Sequence, residues 1–578
     1  MSKPAVYASI ALCFLLASGC ADDDAANTNS SALSTAFVSP VMPADISGGT
    51  SDASVRDAAL FAWQEFIALN WPALDGRRDD PDTAQLFGDA RFTGPLVWHT
   101  YRSKVEIYPG SGDAPPGFVS DASQQYGYDA LPVRYLYADG EIAPCTGQTP
   151  VDVPAWINLD EVSQLLFDDL YAGVAADDAN ARATNSDPQR ARFVAKANGM
   201  GYAYVADPAT SYWTQGTAFQ DAVNNFLAVA NGNGTPSQLN GQVIRFPTGT
   251  IEVKGAWRPL TDAEQHSGRF YQTTVRYYEA AAVGAANACY REAVWGLVGF
   301  HIIHKTPTAP SYIFATFEQA DNLLTADGQR VEDDDGAIVR SVGAANEPEP
   351  VFTDGATPQI SVNGEPYCTA PGARLFYQEL PIGFEGAQQT GLPTGGIICV
   401  NRRLVDIPNG VRTVNHDVHD VLTRYLSAHG LGGSPWLSYK LVNVQWRPFD
   451  ESDIDDHDPD GPQGAGVFWL ANLMLETDNT LQFFSGQINA NGARTDLPAN
   501  FDHFNPQRST YQNVLVFDDA GHLQRTYNMG GCMGCHGLAA VQNGTDFSFI
   551  LADGPVATPE PLGMVGACRP TLRRRGLC

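Results

Sequence analysis

The chain is 578 residues long and 44% hydrophobic, long enough to bury a large core and nominally about three or four domains. Its 35 basic side chains against 65 acidic ones leave a formal charge of −30, which argues against nucleic acid as a partner and against a polybasic grip on anionic lipid. Such a surface favours solubility and suits a basic partner protein.

Lys3 and the apolar run from Ala5 to Ala17 read as a processing segment, too short to remain as a membrane span. The run ends Leu16-Ala17-Ser18-Gly19-Cys20, the pattern of a bacterial lipobox, so residues 1–19 are expected to leave as a lipoprotein signal peptide. Cys20 would then carry the acyl chains that anchor the protein in the cell envelope. Ala21 follows it where Asp would mark inner-membrane retention, so the outer membrane is expected, at its periplasmic face or the cell surface. Residues 20–50 are rich in Asp, Ala, Asn, Ser and Thr and read as a flexible tether, followed by a body over 51–500 and a final region over 501–578.

Ser54 caps an expected helix from Val55 to Asn70, with Asp57 completing a capping box and Leu60, Trp63, Phe66 and Ile67 on one apolar face. Short strands are expected at Leu96–Tyr101 and Val133–Tyr137, and helices at Asn158–Leu170 and Thr217–Val229. The period then shifts toward two, predicting strands at Val243–Phe246, Ile251–Trp257, Phe270–Tyr278, Trp295–His304 and Tyr312–Phe317. A polar insertion is expected from Asn322 to about Pro350, a helix from Val411 to Leu426, and strands at Leu437–Trp446 and Val514–Phe517. The fold class is α+β: a mainly antiparallel sheet with helices packed around it.

Near the C-terminus stands Cys532-Met533-Gly534-Cys535-His536, the C-x-x-C-H spacing of covalent c-type haem attachment. Two thiols three residues apart on the first turn of a helix reach the two vinyl groups of one porphyrin, and His536 then falls where it can take the iron as proximal ligand. Gly530, Gly531, Gly534 and Gly537 are expected to let backbone approach a large flat cofactor. A structural zinc site would need two more ligands, for which His503 and His522 are the nearby candidates, and a redox dithiol would have no use for the adjacent histidine. Because an autonomous small cytochrome c folds mostly after its attachment motif, the few residues beyond His536 imply that the haem segment is integrated into the main body.

The other cysteines fit an exported protein. Cys13 leaves with the signal, and Cys145, Cys289, Cys368, Cys399, Cys568 and Cys578 remain for three disulfides; proximity favours Cys368–Cys399 and Cys568–Cys578, leaving Cys145–Cys289. For the distal side of the iron the candidates are Met564, His301 and His304, and the last two point to opposite faces if their segment is a strand. His416, His419 and Asp420 share a helix face that suits a metal or, more simply, a solvated stripe. Asp456, Asp458 and Asp460 begin a calcium-loop pattern, but Val467 replaces the closing glutamate, which excludes an EF-hand and leaves a simpler calcium site or an acidic loop. Glu318 and Glu476 lie beside apolar strands, where a carboxylate relays protons or makes a structural pair.

Several stretches together carry a resemblance: Ala62-Trp63-Gln64-Glu65-Phe66-Ile67-Ala68-Leu69-Asn70-Trp71-Pro72, Ile251-Glu252-Val253-Lys254-Gly255-Ala256-Trp257, Ala315-Thr316-Phe317-Glu318-Gln319-Ala320-Asp321-Asn322 and Leu470-Ala471-Asn472-Leu473-Met474-Leu475-Glu476-Thr477. With Cys532 to His536, the chain resembles large exported bacterial monohaem proteins of the cytochrome c family, in which a histidine is expected where Gln319 stands here. The resemblance implies one haem c on Cys532, Cys535 and His536 and supplies no substrate. The expected function is single-electron transfer outside the cytoplasm by a lipid-anchored monohaem protein, to a redox partner protein or a small molecule. The alternative is a haem-dependent oxidoreductase of peroxidase or oxygenase type with an open distal iron site, for which a body this large offers room.

Overall fold

The structure, a computed structural model, describes residues 32–108, 127–131, 133–138, 140–160, 191–230, 243–281, 288–322, 330–339, 361–362, 365–366, 374–378, 397–401, 406–455, 457–469, 472, 474–475, 511–517, 523–554 and 558–559. Ser54 opens helix α1 (Val55–Leu69) with the expected reciprocal capping box to Asp57. Its Trp63, Phe66 and Ile67 are fully buried. The apolar run at 96–101 is not a strand but a 3-10 turn over Val97–Thr100, where the Trp98 indole N–H donates to Asn70 Oδ1 at 3.0 Å. Strand β1 (Arg102–Ser103) and the one-turn helix α2 (Lys104–Ile107) follow. Val133–Tyr137 contains no strand beyond one bridge, Tyr137 to Gly140.

The expected helix at 158–170 begins instead as strand β2 (Ile157–Leu159), because Ile157 and Leu159 fill the core while Asn158 hydrogen-bonds the buried hydroxyls of Tyr137 and Tyr278; residues 161–170 lie outside the described ones. Strand β3 (Arg192–Ala197), helix α3 (Gly199–Ala206) and helix α4 (Thr217–Ala230) come next. Val243–Phe246 is a loop, since the Phe246 N–H donates to the Asp546 carboxylate at 2.7 Å rather than to a ladder. Then follow β4 (Ile251–Arg258), one-turn α5 (Asp262–Gln265), β5 (Gln272–Ala280), β6 (Ala288–Thr306) and β7 (Ala309–Gln319). In the expected surface insertion, Val331 and Glu332 are buried, the latter donated to by Lys440 Nζ at 2.5 Å.

Two small antiparallel pairs, β8 (Ser361–Val362) with β9 (Glu365–Pro366) and β10 (Arg374–Gln378) with β11 (Ile397–Asn401), precede helix α6 (Asn409–Ala428) and strand β12 (Tyr439–Gln445). The chain ends its described course with one-turn α7 (Ala465–Trp469), the hairpin β13 (Tyr511–Phe517) and β14 (Leu523–Met529), α8 (Gly531–Asn543) and α9 (Phe549–Asp553). No helix among the described residues is long and apolar enough to cross a membrane.

The main sheet has eight strands in the order β1-β3-β4-β6-β5-β2, with β7 on β6 and β12 on β7. Every pair is antiparallel except β2 with β5. Buried Lys196 on β3 donates to the carbonyls of His99, Tyr101 and Trp156, which draws the far strand back and curls the sheet toward a barrel. The architecture is therefore α+β with a mostly antiparallel sheet.

The pleat of β6 separates two cores. Phe300, Ile302 and His304 point to one face, with Ile313, Ala315 and Phe317 beside them, and pack under α1 and α6. There the Trp63 indole N–H donates to Asn415 Oδ1 at 2.8 Å, and the Asn415 amide also bridges to Leu441 in β12, so one residue ties α1, α6 and the sheet. Ile303 and Phe314 point to the other face and pack with α3, α4 and the hairpin–α8 segment. Cys145 and Cys289 form a disulfide with Cα atoms 4.8 Å apart; Cys368, Cys568 and Cys578, and the Cys399 side chain, lie outside the described residues.

Replacing Cys145 and Cys289 together by alanine should lower the free energy of unfolding by about 2–5 kcal/mol, since the cross-link closes a loop of 144 residues. Urea unfolding of the parent and the double variant measures this, and coincident curves would refute it.

Candidate functional site

Cys532, Cys535 and His536 occupy the first turns of α8, as the motif requires. Among the described residues, the helix packs on the second face of the main sheet, between the β13–β14 hairpin and α9. Cys532 is buried in the second core and Cys535 is half-buried at its edge. Three of the glycines around the motif sit tightly against protein. A Cβ on Gly531 would strike the Gln445 amide, one on Gly530 would strike Phe468 at 2.6 Å, and one on Gly537 would strike Val514. Gly531 also has φ of +66°, the left-handed region that glycine tolerates best. These residues bring the helix close to protein, against the sheet and hairpin.

Gln445, the last residue of β12, is the anchor. Its side-chain oxygen accepts from the Met533 N–H at 2.7 Å, and its nitrogen donates to the Val467 and Phe468 carbonyls at 2.7 and 3.0 Å. It thus satisfies one of the backbone donors that every helix start leaves exposed, and does so in a buried setting. No sequence motif marks this residue; its only signal is a polar amide ending an apolar strand.

His536 is fixed from the other side. Its Nδ1 lies 2.8 Å from the Phe547 carbonyl. A carbonyl only accepts, so Nδ1 carries a proton, and Nε2 is the nitrogen that would be offered to a metal. The ring sits 5.0 Å from Phe314 and 4.7 Å from Phe549, centre to centre, which holds its plane.

The two distal-side histidines part company. His301 lies on the α8 side of β6, paired with Thr316 and Lys254, near enough to His536 that charge on one disfavours charge on the other. Loss of hydration, then Lys254, then His536 hold the His301 imidazole well below its ordinary range, which favours its neutral form. His304 faces the opposite core, where its Nδ1 meets the Glu65 carboxylate at 2.5 Å and its ring stacks on Phe61. His304 is therefore not brought to the α8 side. Met564 lies outside the described residues, as do His503, His522 and Glu476. Glu318 is buried on β7, across from Gly299 and Lys440. Gln319, where the resemblance places a histidine, accepts from the Asp321 N–H and holds the turn after β7.

The stripe on α6 is paired to neighbouring segments rather than bare surface. His419 donates from Nδ1 to Asp335 at 2.7 Å and its Nε2 lies 2.8 Å from the Tyr439 carbonyl, while the exposed His416 meets the other Asp335 oxygen at 3.0 Å. In the acidic loop Asp460 accepts from the Asn409 N–H at 3.0 Å and so caps α6; Asp456 lies outside the described residues. Among the described residues no group of three or more His, Cys, Asp or Glu side chains converges on a metal position.

No protein-family model matches the chain, no curated protein matches its sequence and no solved structure matches its fold.

Two outcomes follow from these contacts. Gln445→Leu removes the partner of the Met533 N–H and of the Phe468 carbonyl, while Val467 keeps its bond from Asn443, and should destabilise the protein by about 2–4 kcal/mol, measurable by urea unfolding; a change within error would show that Gln445 is dispensable. The Asp335 bond, with its charge, raises His416 above its usual 6.5. Burial works to raise Asp335, yet the bonds from His419 and His416 hold it below 3.8. The His416 pairing therefore favours the fold at pH below 6.5 and is lost as pH rises through the raised value, whereas the Asp335 contribution is present above 3.8 and lost as pH falls through the lowered one. In Asp335→Asn the His416 titration midpoint, followed by proton NMR, should fall toward 6.5; an unmoved midpoint would contradict the pairing.

Proposed function

We propose that the chain is a lipid-anchored c-type monohaem protein of the bacterial cell envelope that transfers single electrons to or from a redox partner or small molecule. The observation that carries this reading is the donor set on α8: two thiols three residues apart, followed at once by an imidazole whose Nδ1 proton is held by the Phe547 carbonyl. That set fits a haem c, with Cys532 and Cys535 as the thioether residues and His536 as the proximal ligand. When bound, the group supplies a one-electron iron couple. The rest belongs to the chain: Gln445 and the glycines seat the helix, Phe314 and Phe549 wall the imidazole, and the Phe547 carbonyl sets its tautomer. His301 is the better supported distal candidate, because it lies on the α8 side of β6 where burial favours its neutral form, whereas His304 is committed to Glu65. Ligation by His301 would favour electron transfer over an open, substrate-binding iron. The anchoring at Cys20, the outer-membrane location and the acidic surface meeting a basic partner belong to the same proposal and rest on the sequence.

The protein made with cytochrome c maturation machinery should contain one haem per chain by the pyridine haemochrome assay, and Cys532→Ala with Cys535→Ala should contain none that survives acid–acetone extraction. The ferrous parent should bind carbon monoxide poorly and His301→Ala readily. Thiols found unmodified or holding zinc would overturn the haem reading, and rapid carbon monoxide binding or peroxide turnover by the parent would favour the oxidoreductase over the electron carrier.

A further inference from the structure

The carbonyl that holds His536 belongs to an unusual turn. Gly544, Asp546 and Phe547 have φ of 63°, 52° and 65°, so two adjacent residues other than glycine adopt a conformation that L-residues avoid. The turn is closed by the Ser548 N–H on the Thr545 carbonyl at 3.0 Å, and Ser548 then caps α9. Something outside the turn must hold it in this shape, and the structure offers one clamp. The Asp546 carboxylate, buried, accepts from Lys305 Nζ at 2.7 Å and from the Phe246 N–H at 2.7 Å. Lys305 is itself buried near the end of β6, with Nζ 5.2 Å over the ring of Tyr312, a residue in the left-handed region at φ of 65°. One residue of the turn thus reaches to the sheet through its side chain, and the next reaches to His536 through its carbonyl.

We propose that Asp546, clamped by Lys305 of β6, is a positioning residue for the proximal imidazole: it aims the Phe547 carbonyl at His536 Nδ1 and so sets how strongly His536 donates to iron. The proposal rests on the haem reading above. A bond from Nδ1–H to a well-placed acceptor raises the basicity of Nε2, and a more basic axial ligand stabilises the oxidised iron. If the clamp is released, the turn relaxes out of its left-handed backbone, the carbonyl leaves the Nδ1 proton, and the ligand weakens.

The experiment uses the full chain carrying its haem, as the parent, Asp546→Asn, Lys305→Gln and Lys305→Arg. Two quantities are read: the midpoint potential, and the rate at which the His536 Nδ1 proton exchanges with deuterium, followed by NMR. Asp546→Asn and Lys305→Gln should raise the potential and speed the exchange at least tenfold, while Lys305→Arg, which keeps a cation for Asp546, should return both toward the parent. A lowered melting temperature with unchanged potential and exchange would make the pair a core clip and overturn the proposal, as would loss of the fold in both charge-removing variants. A variant that keeps its far-UV spectrum but takes up no haem supports it, because the ligand is then mis-aimed in an intact body. Absence of covalent haem from the parent is a different result and refutes the haem reading itself.

Discussion

The two-residue alternation of β6 is the constraint on which the rest of the molecule depends. The strand presents His304 to one core and Lys305 to the other, and each is buried against an acid that cannot reach the wrong side: Glu65 from α1, Asp546 from the turn before α9. Burying a charged or polar side chain is tolerable only when its partner is in place. A slip of one residue in the pairing of β6 with β4 and β7 would therefore strand both pairs at once and turn His301 away from α8. Burial pushes the Glu65 carboxyl above its ordinary range, against the pull of His304, so the first pair sits in a strongly desolvated setting. Register, core segregation and the setting of the motif helix are one decision made along a single strand.

Much of the sheet was readable from periodicity. The segments that became β4, β6, β7 and β12 announce themselves by apolar runs with regular alternation, and α1 and α6 by a capping box or an apolar face at helical spacing. The failures share a cause. Leu96 to Tyr101 is as apolar as a strand, but Trp98 must reach Asn70 and the Thr100 carbonyl must accept from Arg78, contacts that only a tight turn satisfies. Ile157 to Leu159 became a strand because Asn158 meets hydroxyls on Tyr137 and Tyr278, the latter 120 residues away. In each case distant polar partners overruled local preference, and no window of sequence contains them.

The candidate site divides along the same line. Cys532, Cys535 and His536 are a local motif, legible at once from spacing. Gln445, Lys305, Asp546 and the Phe547 carbonyl hold that motif in place, and they come from strands and a turn that share no pattern with it. Gln445 and Lys305 leave only faint traces, a polar amide and a cation at the ends of apolar strands. The glycines show the converse: their presence near the motif is apparent in the sequence, but not that Gly530, Gly531 and Gly537 lie against Phe468, Gln445 and Val514.

The wide separation of these partners has a consequence for how the molecule comes into being. Gln445 meets Met533 across 88 residues and Lys305 meets Asp546 across 241. A polypeptide synthesised from its N-terminus holds every strand of the main sheet well before it holds Phe547. A chain that ended between His536 and Phe547 would hold every strand of the main sheet and the motif itself, yet lack the proton acceptor for His536.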